Sequence, residues 1–388
     1  MSSSEERIPL SVPTIGGNAA AYLQACLDTN FVSSVGPFVE RFEREFAEAV
    51  GARFAVACAS GTAALHLAFL ALDIGPGDDV LVADLTFVAS VNPIVYVGAR
   101  PILVDAEAAT FGMEPALVVA ELDRRAAAGE RQPAAVEVVH LLGHPMALDE
   151  VVAAAARHGV PIVEDASEAL GATWTAGSFA GRWVGTVGRL GAFSFNGNKL
   201  ITTGGGGMVV TDDEALARRV RHLSTQARLP GLAYDHDEVG YNYRLTNLAA
   251  ALGVAQLEGL DALLAARRAI AARYDVAIAT LPELRPAPRA PWAESSFWLY
   301  TATLAVPDEA RRDALLAHLI AAGIEARPIW RPIHATRRYA DAARLGGDVA
   351  DRIFASAFCL PSSSSLTAAD QARVVDGLRA ALAATAPA

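Results

Sequence analysis

Cysteine is scarce in this chain: Cys26, Cys58 and Cys359 are the only three among 388 residues, and no two share a Cys-x-x-Cys spacing. A disulfide framework and a thiol-built zinc site are therefore not expected, no metal is called for, and a reducing cytoplasm fits best. An excess of positive charge is also missing, since 32 Lys+Arg against 43 Asp+Glu leave a net charge of −11. Such a molecule repels nucleic acid and anionic membrane surfaces, so neither is an expected partner. A phosphate-bearing ligand then needs a local, preorganised site. Charged residues are only 19% of the chain and apolar residues 53%, which excludes a disordered protein. The N-terminus, Met1-Ser-Ser-Ser-Glu-Glu-Arg7, carries two acids and no apolar core behind it, unlike a signal peptide. Residues 54–72 are uncharged for 19 positions, near the lower limit of a membrane span, but Ser60-Gly61-Thr62 interrupts them. They read as strand, turn and helix.

What is present is a wound α/β pattern. At about 150 residues per domain the length predicts two to three domains. Apolar runs at 54–58, 80–83, 100–104, 136–141, 161–163, 190–195 and 207–210 read as strands of one mostly parallel, seven-stranded sheet. Helical spacing between them covers 63–72, 89–97, 114–128, 148–158 and 213–223. A long Ala/Leu-rich helical stretch runs from Asn247 to about Leu281, and Pro282, Pro286, Pro288 and Pro291 then break it. Beyond the prolines, 297–306 reads as a strand and 308–322 as a helix. Thr367 opens a last helix with Asp370 at the capping-box position. We expect a large α/β domain over 1–250, and a connecting helix with a small α+β domain over 251–388.

Three segments carry chemistry. Gly191-Ala-Phe-Ser-Phe-Asn-Gly-Asn-Lys199 delivers a single lysine, with no other lysine near it, into a loop followed by Gly204–Gly207. A lysine amine with a lowered pKa forms a Schiff base with a carbonyl or with pyridoxal phosphate. The bland alternative is a surface lysine beside a glycine turn. Val160-Pro-Ile-Val-Glu-Asp165 is a strand ending in acids, at the edge where wound sheets bind ligands. Asp165 there suits the pyridine nitrogen of pyridoxal phosphate, or simply caps a helix. Ser60-Gly61-Thr62 opens a helix after a strand and makes an anion site, or an ordinary cap. Neither a Walker loop nor a G-x-G-x-x-G fingerprint is present, which disfavours a nicotinamide dehydrogenase. His140 and His144 flank Leu-Leu-Gly and read equally as substrate-binding or structural histidines.

In order along the chain, Ser60-Gly-Thr62, Asp84-Leu-Thr-Phe87, Glu164-Asp-Ala-Ser-Glu168, Phe193-Ser-Phe-Asn-Gly-Asn-Lys199 and Gly240-Tyr-Asn-Tyr-Arg244 resemble the DegT-type sugar-nucleotide aminotransferases, of fold-type I among pyridoxal-phosphate enzymes. The likeness runs from about Ile8 to Leu366. Asn30-Phe-Val-Ser-Ser-Val-Gly36 and Arg327-Pro-Ile-Trp330 look most like the branch that aminates C4 of a UDP-linked 4-keto-6-deoxy-N-acetylhexosamine, toward bacillosamine or legionaminic acid. The resemblance implies Lys199 as the Schiff-base lysine and proton shuttle, Asp165 on the pyridinium nitrogen and Phe87 stacked on the ring. It places Glu168, where many relatives carry Gln, near the ring's phenolic oxygen. Gly61, Thr62 and Ser194 would bind the phosphate, with Asn242 supplied by the neighbouring subunit of a homodimer. L-Glutamate is the implied donor and a nucleotide sugar the implied acceptor. Relatives that remove a sugar hydroxyl carry histidine at the lysine position, so Lys199 argues for amino transfer. For the substrate diphosphate, Arg228, Arg327, Arg331, His334, Arg337 and Arg338 are candidates. Alternatives are a dTDP- or GDP-linked sugar, a C3-keto sugar or cyclitol, and a pyridoxal-phosphate-binding regulator without turnover.

Overall fold

Runs such as Phe54-Ala-Val-Ala-Cys58 and Asp79-Val-Leu-Val-Ala83 show no polar alternation, as strands covered on both faces require. Each forms a strand in the computed structural model, which describes residues 7–385. The strands run in chain order as β1 (Phe54–Cys58), β2 (Asp79–Ala83), β3 (Arg100–Val104), β4 (Ala135–Val139), β5 (Ile162–Asp165), two-residue β6 (Thr173–Trp174), β7 (Leu190–Ser194), β8 (Gly207–Thr211), β9 (Leu284–Pro286), two-residue β10 (Ala293–Glu294), β11 (Tyr300–Leu304), β12 (Arg327–Pro328), β13 (Ala343–Leu345) and β14 (Ala357–Leu360). Eight of them make one sheet in the order β1-β8-β7-β5-β4-β2-β3-β13. Only β8 runs antiparallel to its neighbours, β1 and β7.

All seven expected strands lie in this sheet, and β13 adds an eighth at its edge. Ala343-Arg-Leu345 is too short and too polar for any local pattern to mark; pairing with Ile102–Val104 makes it a strand. It comes from beyond residue 250, so the C-terminal part of the chain closes the edge of the large sheet. The division at about residue 250 remains our proposal. One face of the sheet packs Phe42 and Phe46 of the helix Pro37–Val50 and Ala154 of the helix Asp149–His158. The other packs Leu65, Leu67 and Phe69 of the helix Gly61–Ala71 and Ile94 of the helix Val88–Tyr96. A smaller sheet, β12-β14-β11-β9, is covered by Leu315, Leu319 and Leu378 from the helices Glu309–Ala321 and Ala368–Ala384. The Thr367 hydroxyl caps the latter by accepting from the Asp370 N–H at 3.0 Å.

Two expectations change. The long helical stretch is two helices, Asn247–Glu258 and Leu260–Ile278, bent by 62° at Gly259. Glycine weakens a continuing helix, and Leu264, Ile270 and Tyr274 turn the second helix onto the protein's interior. The strand expected at 297–306 starts only at Tyr300, because Phe297 sits in the left-handed region with φ 50°. Among the described residues no single helix is long and apolar enough to cross a membrane.

Glu137 lies in the middle of β4, fully buried, with neither carboxyl oxygen hydrogen-bonded. Loss of water raises its pKa well above the carboxylate range, and Asp165 on the next strand adds repulsion. An acid whose folded pKa is raised leaves stability intact below the unfolded pKa and takes it away as pH climbs from the unfolded value toward the folded one. Glu137→Leu is therefore expected to stabilise the fold by about 1–3 kcal/mol near neutral pH, by removing an unpaired buried polar group. In urea unfolding the gain should grow between pH 5 and pH 8. A gain that shrinks with pH would contradict it.

Candidate active site

Asp165 ends β5 at the carboxyl edge of the parallel strands. The Ser90 hydroxyl donates to its Oδ2 at 2.8 Å and the Ser167 N–H donates to its Oδ1 at 3.0 Å. Two donors therefore aim a buried carboxylate at one place. The loop after β7 brings Lys199 to the same cavity, whose volume is about 400 Å³. Lys199 is the only lysine in the whole chain. Its Nζ lies 3.9 Å from Glu168 Oε1 and 3.8 Å from the centre of the Trp298 ring, and its side chain is only 13% exposed. The Trp298 indole N–H donates to the Asn198 carbonyl at 2.7 Å, tying the ring to the lysine's own loop.

Burial lowers the lysine's pKa from its ordinary value; Glu168 and Asp165 oppose this and Arg327 adds to it. Burial in turn raises the pKa of Glu168, against the pull of Lys199. Both members of the pair are thus pushed toward their neutral forms. Glu168 accepts from the Leu142 N–H at Oε2, 2.8 Å away, and from the Trp330 indole N–H at Oε1, 3.0 Å away; a glutamine, with one oxygen, would keep only one of these contacts in the same geometry.

Ser60 caps the helix Gly61–Ala71 by accepting from the Ala63 N–H at 3.0 Å, and the first two helical N–H groups, those of Gly61 and Thr62, have no intrahelical acceptor. A Cβ on Gly61 would stand 2.7 Å from the Ser194 Cβ and 3.0 Å from the Ser167 hydroxyl. Only glycine fits against these two serines, which lets the helix start pack close to them at the cavity wall. Gly207 closes the cradle from behind, since a Cβ there would lie 2.4 Å from the Ser60 carbonyl oxygen. Phe87 is 44% exposed, with its ring 4.5 Å from that of Trp330 and tilted by 41°. An anion cradle, an aimed carboxylate, an exposed ring and a buried amine on one cavity fit pyridoxal 5'-phosphate.

Of the residues singled out from sequence, Gly61, Thr62, Phe87, Asp165, Glu168, Ser194 and Lys199 all line this cavity. Asn242 does not; it is exposed and bridges to Thr225. Among the six candidate cations only Arg327 lines it. Arg228 stacks on Tyr234, Arg331 lies 3.7 Å from Glu309, His334 is paired to Asp84 at 2.6 Å and Arg338 stacks on Tyr339; neither Arg338 nor Arg337 reaches the cavity wall. The two histidines are structural. His140 Nδ1 accepts from the Met146 N–H at 3.1 Å, so its Nε2–H donates to Glu164 at 2.9 Å. His144 donates to the Pro145 carbonyl and accepts from the Ala290 N–H at 3.1 Å; burial lowers its pKa to about 4. Trp298 and Ser90 escaped the sequence reading. Each stands in an ordinary apolar or helical run, and only the fold brings them to Lys199 and Asp165.

The same arrangement of chain is found in known proteins. Residues 13–379 match the model of the DegT/DnrJ/EryC1/StrS aminotransferase family. This chain belongs to that family. The aminotransferase is 40% identical over 377 residues to EpsN of Bacillus subtilis strain 168, which carries the name pyridoxal phosphate-dependent aminotransferase, covering 96% of this chain and 95% of EpsN. It is also 40% identical to the GDP-perosamine synthase of Caulobacter vibrioides over 373 residues, 96% and 97% of the two chains. The crystal structure of the aminotransferase TlmJ from Streptoalloteichus hindustanus superposes with a TM-score of 0.88 at 30% identity, covering 98% of this chain and 100% of TlmJ.

Filling the cradle tests the phosphate end of this aminotransferase site. Gly61→Ala should weaken pyridoxal-phosphate binding roughly tenfold or more, about 1.4 kcal/mol, and should also lower the melting temperature of the cofactor-free protein, because the new Cβ presses on Ser194. Equal affinity in a fluorescence titration would show that the phosphate lies elsewhere.

Proposed function

We propose that this aminotransferase moves an amino group from an amino acid, L-glutamate, to C4 of a nucleotide-linked 4-keto-6-deoxy sugar, with pyridoxal 5'-phosphate as cofactor. The convergence of Lys199, Asp165 and the Ser60–Thr62 turn on one cavity carries this reading. When bound, pyridoxal 5'-phosphate supplies a carbonyl carbon for amine exchange and a ring that accepts electron pairs. Lys199, its pKa lowered by burial, reaches the unprotonated state more readily and would be the amine that holds the cofactor and the group that holds and moves the proton at its Nζ. Asp165, held by Ser90 and Ser167, would hold the ring nitrogen and favour its protonated form. Phe87 would give the ring a flat support, and Gly61, Thr62 and Ser194 would hold the phosphate. Glu168 would lie near the ring's phenolic oxygen.

For the acceptor, the Asn30–Gly36 and Arg327–Trp330 motifs support a UDP-linked 2-acetamido sugar. The 40% identity to a GDP-perosamine synthase supports a second reading, a GDP-linked sugar. A homodimer with shared sites is part of the proposal: Asn242 is exposed and does not line its own cavity, and the exposed Leu232, Tyr234 and Val239 precede it on one surface segment. A cytoplasmic setting is supported by three buried, unpaired thiols.

Two measurements test this reading. L-Glutamate should convert the absorbance of the holoenzyme to that of the pyridoxamine form, and Lys199→Ala should slow the conversion at least about 10³-fold. With glutamate and a panel of UDP-, GDP- and dTDP-linked 4-keto sugars, mass spectrometry should find an amino sugar; conversion of none of them would overturn the acceptor class.

A further inference from the structure

Arg267, on the helix Leu260–Ile278, is 2% exposed, and among the described residues it pairs with no carboxylate. Burial alone pushes its pKa down, to about 10. A lone guanidinium out of water costs free energy, and apolar side chains would join the same elements with less loss. What this one does is spread a rigid fork over three separate stretches of chain. Its Nε–H donates to the Ser364 hydroxyl at 3.1 Å, one arm donates to the Trp298 carbonyl at 2.8 Å and the other to the Ser11 hydroxyl at 3.1 Å. Two of these partners then meet on one atom. The Ser11 hydroxyl donates to the Asn198 carbonyl at 2.9 Å, and the Trp298 indole N–H donates to the same oxygen at 2.7 Å. Asn198 immediately precedes Lys199, whose Nζ lies 3.8 Å from the centre of the Trp298 ring. Trp298 is delivered there against a backbone preference, since Phe297 before it is held at φ 50°, which bulky residues avoid.

We propose that Arg267 is a positioning residue for Lys199, fixing both the peptide that enters the lysine and the ring that holds its amine. This deepens the function proposed above and rests on it for the lysine's role. Arg267 does not line the cavity, so it acts through Ser11, Trp298 and Asn198. A lysine side chain is a flexible four-carbon stem, and an amine that must meet one carbon repeatedly reaches it fastest when backbone and tip are both held. Arg267 supplies both restraints from one buried point. The same frame draws the N-terminal segment at Ser11 and the C-terminal part at Trp298 and Ser364 onto the lysine's loop. It thereby closes off water, and burial is what lowers the lysine's pKa. A mere staple between these segments would use its three arms alike. Here the Ser364 arm alone does not lead to Asn198, and that difference makes the role testable.

Because Lys199 is the only lysine, its amine can be followed alone. The full-length, cofactor-free protein is labelled with acetic anhydride at a series of pH values, and mass spectrometry of the Lys199 peptide gives the midpoint of its reactivity. Wild type is compared with Arg267→Met, Ser11→Ala and Ser364→Ala, all of which keep Glu168, Asp165 and Arg327, the charged groups that act on the amine. Arg267→Met should raise the midpoint by about half a pH unit or more, toward that of a lysine in water. In the holoenzyme it should lower the limiting rate of glutamate-driven conversion by between about tenfold and a hundredfold. Ser11→Ala should move both in the same direction by less, and it decides the matter together with Ser364→Ala if Arg267→Met does not fold. Ser364→Ala should leave midpoint and rate unchanged, whatever it does to the melting temperature. A midpoint that stays put in Arg267→Met and Ser11→Ala, or that moves as far in Ser364→Ala, would overturn the assignment while leaving the aminotransferase reading standing. Absence of any conversion in the wild-type enzyme would overturn that reading itself, and the assignment with it.

Discussion

A primary amine kept out of water between a carboxylate and an indole face is the constraint around which this molecule is arranged. Lys199 Nζ has Glu168 on one side and the Trp298 ring on the other. Removing water disfavours the charged forms of both ionisable partners, while their attraction favours them. The balance leaves the lysine easier to deprotonate than in water and the glutamate easier to protonate. Each neighbour that holds this balance comes from a different part of the chain. Glu168 follows β5, Trp298 precedes β11, and Trp330, which donates to Glu168, follows β12. The small sheet thus completes a site whose floor belongs to the large one.

The same economy of charge runs through the cavity. Asp165 is satisfied by two donors and stays aimed. Arg327 meets no carboxylate among the described residues, and its Nε is left without an acceptor beside two indoles. Glu164, adjacent to Asp165 in sequence but on the opposite face of β5, is wholly consumed: His140 and the Gly185 and Val187 N–H groups all donate to it. A buried acid that is fully bonded fastens the loop behind β5, and the neighbouring acid that keeps an open side serves the ligand. Glu137 is the third case, a buried acid with no partner, which the fold tolerates only in its protonated form.

Much of this was legible in sequence, because much of it is local. Strands covered on both faces read as unbroken apolar runs, and caps such as Ser60 and Thr367 are chemically explicit. Lys199, Asp165 and Gly61 were visible because each sits at a strand end or helix start, where wound sheets bind ligands. What stayed hidden depends on pairing across long separations. β13 is a strand only through β3, and Ser90 is an unremarked helical serine until it meets Asp165, 75 residues on. The surplus arginines show the reverse. Composition offered six cations for a diphosphate, but five of them settle on aromatic rings, on acids or outside the cavity, and only Arg327 reaches it.

That the chain has one lysine makes the central claim open to a direct chemical test. Holoenzyme reduced with borohydride should carry the cofactor covalently at one side chain. Peptide mapping by mass spectrometry is predicted to find that label on the peptide containing Lys199 and nowhere else. A reduced enzyme that releases all its cofactor on unfolding, or a label found only at the N-terminal amine, would contradict the account.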